Sequence, residues 1–100
     1  MRTLLKVSIP VEQGNKAVAD GSLGKIIQAT LQRTKAEAAY FTTENGNRTA
    51  FIFFDMKDSS ELPPIAEPLF QGLHAEIAVT PVMNGEDLQK GLAAAMGKEH

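Results

Sequence analysis

His74 and Glu76 are the two side chains in this sequence best suited to moving a proton. Histidine changes charge near neutral pH and is the commonest general acid or base. A carboxylate two residues further along a strand lies on the same face, roughly 7 Å away, where it could orient the imidazole or stabilise its charge. Tyr40 is the only tyrosine. Its hydroxyl could bind a ligand or position a proton, although strand tyrosines commonly pack the ring and turn the oxygen to water or a backbone group. Lys6, Ser8 and Asp55 are further polar groups able to join such a site, with Phe51 and Phe53 as apolar ligand-binding walls. The plainer reading leaves His74 solvated or hydrogen-bonded at a strand start, and lets Asp55 simply end its strand.

Other chemistries lack their residues. Without cysteine, disulfides, thiolate catalysis, cysteine-ligated zinc and iron–sulfur clusters are excluded. One internal histidine among scattered carboxylates has no multi-ligand spacing, so no metal and no cofactor are expected; His100 ends the chain. Gly21-Ser22-Leu23-Gly24-Lys25 lacks the full phosphate-loop spacing and does not follow a strand directly. Ten Lys+Arg against twelve Asp+Glu give a net charge of −2, without the basic footprint that nucleic acid requires. No segment approaches the ~20 apolar residues of a membrane span, and Met1–Lys6 is too short an apolar run for a signal peptide. A soluble cytoplasmic protein with neither nucleic-acid nor membrane partners is the expectation. Glu44, Arg48 and Arg33 read as solvated surface charges; Met56, Met83 and Met96 read as packing or terminal residues.

The elements that must position these side chains follow from periodicity. Thr3–Ile9 alternates, with Leu5, Val7 and Ile9 on one face and Leu4, Lys6 and Ser8 on the other, which is a strand that Pro10 ends. Glu12–Lys35 is helical, with a break at Asp20-Gly21-Ser22 and a firm second segment from Ser22 to about Arg33. Asn45-Gly46 is the preferred pair for a two-residue type I′ hairpin. It sets Thr42 opposite Thr49, Tyr40 opposite Phe51 and Ala38 opposite Phe53. Phe51-Ile52-Phe53-Phe54 is apolar on both faces, as befits a central strand with both faces covered. Asp58-Ser59-Ser60 and Pro63-Pro64 suit a helix start; Pro68 limits that helix to about three turns, and Gly72 closes it. Leu73–Thr80 alternates again and ends at Pro81. Asn84 then caps a helix running to about Met96, with acidic residues in its first turn.

The order is a ferredoxin-like βαββαβ, α+β in class, with a four-stranded antiparallel sheet plus a C-terminal helix. At 100 residues it is expected to be one domain, 1–100. Both main helices cover one sheet face. The other face carries Lys6, Ser8, His74, Glu76 and Thr80 beside Tyr40, Phe51 and Phe53. Left to water it would expose a large aromatic patch, whereas two copies stacked face to face would bury it.

This arrangement resembles the dimeric α+β barrel group of ferredoxin-like proteins. A closer likeness, carried by Glu37-Ala38-Ala39-Tyr40-Phe41-Thr42, Asn45-Gly46-Asn47-Arg48-Thr49-Ala50 and Ile65-Ala66-Glu67-Pro68-Leu69-Phe70, is to small bacterial proteins of unknown function. The resemblance implies a homodimer with a ligand cavity or active site between the sheets. The barrel group includes monooxygenases, haem-binding enzymes, isomerases and dehydratases, and fold alone does not choose among them. The leading expectation is a cytoplasmic homodimer binding a small, partly apolar organic molecule, with metal-free acid–base chemistry at His74. The first alternative is a non-catalytic homodimeric assembly module; a third reading has His74 ligate haem.

Overall fold

Alternating Leu5, Val7 and Ile9 drive the first strand, β1 (Arg2–Ile9), into the middle of the sheet, where all three are buried. The computed structural model describes residues 1–97, so His100 lies outside the described residues. After β1 come α1 (Val11–Asp20) and α2 (Ser22–Thr34), then the hairpin of β2 (Ala38–Glu44) and β3 (Asn47–Asp55). A 3₁₀ turn (Ser59–Glu61), α3 (Leu62–Leu73), β4 (Glu76–Pro81) and α4 (Gly85–Ala95) complete the order. The sheet runs β2-β3-β1-β4 and is antiparallel throughout. This is the expected ferredoxin-like α+β fold, with the first crossover helix divided into α1 and α2.

The division falls at Asp20-Gly21-Ser22, where the Asp20 carboxylate accepts a 2.8 Å hydrogen bond from the Ser22 amide. The hairpin turn is at Asn45-Gly46, with φ values of 53° and 80°. Both residues therefore occupy the left-handed region that a type I′ turn requires. The register follows: Tyr40 faces Phe51 and Ala38 faces Phe53.

Asp58 and Glu61 form a reciprocal cap before α3, and proline occupies its first turn. The end of α3 differs from expectation. Gly72 does not close the helix; it lies inside, and a Cβ there would sit 2.5 Å from Ile26 Cδ1 of α2. The Ile26 side chain of α2 therefore lies over it. Leu73, fully buried, completes the stripe of Ile65, Ala66 and Leu69. His74 then adopts a left-handed conformation, φ 52°, as the helix cap. The expected strand Leu73–Thr80 thus begins only at Glu76. Leu73 satisfies a helical stripe and a strand alternation equally well, and burial against α3's own face decides for the helix.

One sheet face packs on α1, α2 and α3. Leu5, Val7, Ile52 and Phe54 from the sheet meet Ala17, Ile27, Ile65, Leu69 and Leu73 from the helices. Each large side chain fully buried here contributes about 1.5–3 kcal/mol relative to exposure. The opposite face carries no helix contributing buried residues: no residue of α4 is buried. Among the described residues, no helix is long and apolar enough to cross a membrane.

Candidate functional site: the open sheet face

Strand register sets the open face in rows. One row runs Ala38, Phe53, Leu4, Thr80 across the four strands; the next runs Tyr40, Phe51, Lys6, Ala78; the third runs Thr42, Thr49, Ser8, Glu76. Leu4, Phe51 and Phe53 are half-buried and Tyr40 is 65% exposed. Aromatic and aliphatic surface therefore occupies the middle of the face and polar groups occupy one end.

Lys6 is the hinge between the two regions. Its ammonium lies 5.9 Å from the centre of the Phe51 ring, within cation–π range, and it also pairs with the Glu44 carboxylate. Lys6, Ser8, Glu44 and Glu76 line a shallow polar pocket of about 210 Å³ at this end of the sheet. Three of the expected site residues, Lys6, Ser8 and Glu76, are thus brought together. Tyr40, Phe51 and Phe53 share their face in the adjoining rows, outside the pocket lining.

His74 is not brought to this place. It sits in the turn after α3, exposed, and does not line the pocket. The strand spacing that would set it beside Glu76 does not apply, because only Glu76 belongs to β4. Asp55 ends β3, paired with the Met1 ammonium at 2.6 Å and Lys57 at 2.9 Å. These two cations hold its carboxyl down at about 2, the Met1 hydrogen bond first and Lys57 second. Among the described residues no three histidine, cysteine or carboxylate side chains gather to hold a metal.

Sequence reasoning missed a second concavity, on the helix side. An apolar groove of about 450 Å³ runs between α2 and the β2–β3 hairpin, lined by Leu23, Ile27, Leu31, Phe41 and Ala50, with Arg48 at its rim. Phe41 points to the helix-covered side, as its register requires, yet is 59% exposed because β2 is the edge strand and no helix lies over it. The signal was present in α2: Leu23, Ile27 and Leu31, spaced four apart, form one apolar stripe, of which Ile27 is buried in the core and Leu23 and Leu31 are only half-buried. Nor is Arg48 simply solvated. It is half-buried, donates a 3.1 Å hydrogen bond to Asn15, and lies against Gly14, where a Cβ would come within 2.5 Å of its guanidinium.

No protein-family model and no curated protein matches this sequence.

Proposed function

We propose that the chain acts in the cytoplasm as a homodimer closed through its open sheet face, holding a small, partly apolar organic molecule between the two sheets. The observation that carries this reading is the layout of that face: Leu4, Phe51, Phe53 and Tyr40 form an apolar field next to a polar pocket with Lys6, Ser8 and Glu76. Two such faces about 10 Å apart remove the aromatic surface from water. The polar pockets then supply donors and acceptors to a ligand whose body lies on the rings. The likeness to dimeric α+β barrels points the same way. The role falls to Lys6, Ser8 and Glu76 for polar contacts and to Tyr40, Phe51 and Phe53 for apolar ones. His74, at a helix cap, has no part in it, so acid–base chemistry at this site would rest on Glu76.

The alternative of a non-catalytic assembly module is favoured by one feature: Lys6 and Glu44 already satisfy each other. A ligand-observed NMR screen with small aromatic and aliphatic carboxylic acids and alcohols separates the two. Binding to the wild type that weakens at least tenfold in Lys6→Met, with the dimer intact, supports the ligand site. A dimer that binds no member of the set supports the assembly module instead.

A further inference from the structure

An eleven-residue helix stands almost alone in this protein. No residue of α4 is buried, while isolated helices shorter than about 12–15 residues are marginal in water. Capping is sound: Asn84 and Asp87 form a reciprocal cap, and Arg2 reaches Asp87 at 3.3 Å. Caps fix the start of the helix and leave its apolar stripe uncovered. Leu88, Leu92 and Met96, four residues apart, are 44%, 50% and 69% exposed. The radius of gyration is 16.0 Å and the longest dimension 55 Å, against a radius of about 13 Å for a compact chain of this length. A helix with that stripe needs a groove, and the groove floored by buried Ile27 has half-buried Leu23 and Leu31 and exposed Phe41 along its walls.

Symmetry brings the two together. If the two-fold axis of the face-to-face dimer runs along the strands, each sheet's β4 edge lies over the β2 edge of its partner. β4 is antiparallel to β1, and β2 is parallel to β1 through β3, so the apposed edges are antiparallel and compatible with pairing. The chain leaving β4 therefore emerges beside the partner's β2. That point is the Ala38 end of β2; the uncovered groove lies on the other side of the same strand and further along it, at Phe41 and Thr42, a span that an eleven-residue helix of about 16 Å can cover. The sheet face spans roughly 19 Å by 25 Å, and a stable interface buries about 800 Å² of accessible surface per partner. A second contact between helix and groove adds to the area the sheet face supplies.

We propose that in the homodimer α4 of each copy lies in the apolar groove between α2 and β2 of the other, setting Leu88, Leu92 and Met96 against Leu23, Ile27, Leu31 and Phe41. This rests on the face-to-face dimer proposed above and extends it: the groove is completed only by the second copy. The recognition mode is an amphipathic helix in a groove, read through anchors four residues apart.

The chain contains no cysteine, so cross-linking is free of background. A Phe41→Cys chain and a Leu92→Cys chain, carrying different tags and co-expressed, are treated with a short bismaleimide. Both sites are half exposed or more, so both variants are expected to fold. The expected result is a covalent pair containing one of each tag as the main cross-linked product. The double variant Phe41→Cys/Leu92→Cys, diluted to a monomer, should give no internal link. An internal link there would mean that α4 folds back on its own groove, and would overturn the exchange. Sedimentation of the wild type separates the two layers of the argument. A dimer without the mixed cross-link overturns the helix exchange alone; a monomer overturns the sheet-face dimer and the exchange with it.

Discussion

The Lys6 ammonium lies 5.9 Å from the centre of the Phe51 ring, on the neighbouring central strand. A cation from β1 and a ring from β3 thus share the midpoint of the open face, with Tyr40 on the ring's other side. If a second copy covers this midpoint, a carboxylate placed there must lose its water, and the cation beside it, Lys6, is already paired with Glu44. Phe51→Asp is expected to abolish the dimer at micromolar concentration while leaving the monomer folded, because Phe51 is only half-buried within the chain. Analytical ultracentrifugation with circular dichroism checks both halves. A Phe51→Asp protein that still dimerises would show that assembly uses another surface.

His74 offers a test of its own assignment as a helix cap. A left-handed conformation costs a non-glycine residue about 1–2 kcal/mol, and glycine is the usual occupant at this place. Part of that relief is offset by the greater freedom of glycine in the unfolded chain. His74→Gly should therefore stabilise the fold by about 0.5–1 kcal/mol, a rise in Tm of several degrees for a chain of this size. Ligand affinity at the Lys6–Glu76 pocket should be unchanged. A variant that loses affinity without losing stability would return His74 to the site.

At the hairpin tip the expectation has the opposite sign. Gly46 has φ 80°, and a β-branched residue is strained there even though the space around it is open. Gly46→Val should destabilise by more than about 1 kcal/mol. An unchanged melting temperature would contradict the type I′ turn.

Much of the fold was legible because different signals agreed. Asn45-Gly46 set the hairpin register, and the alternation of Leu5, Val7 and Ile9 set the phase of the sheet. These are local features with one low-energy solution. What could not be read lies where one residue fits two patterns. Leu73 serves a helical stripe as well as a strand, and Gly72 looks like a helix stop although its true constraint is Ile26 on another helix. That ambiguity moved His74 out of β4, so strand spacing does not set it beside Glu76. The exposure of Phe41 was hidden for a related reason: alternation tells which face a residue takes, but not whether a helix reaches over that part of the face. Lys6, Ser8 and Glu76 lie on the expected face because their placement depends only on strand phase and register.

Charging the apolar stripe of α4 probes the proposed exchange from the other direction. Leu88→Asp/Leu92→Asp should leave the sheet-face dimer detectable but weaker, and should raise hydrogen exchange in the Leu23–Leu31 stretch of α2 and around Phe41. Both leucines are exposed within the chain, so the fold of the monomer should be unaffected. Unchanged dimer strength and unchanged exchange would place the α4 stripe elsewhere.

The most direct measurement is the mass of the unmodified protein in solution. Leu4, Phe51, Phe53 and Tyr40 lie on one face to which no helix among the described residues adds a buried side chain, and in the proposed dimer a second copy closes that face. Sedimentation equilibrium at micromolar concentration should return twice the mass of the chain, with no fall as salt is raised, since the centre of the contact is apolar. A single-chain mass across that concentration range would contradict the account.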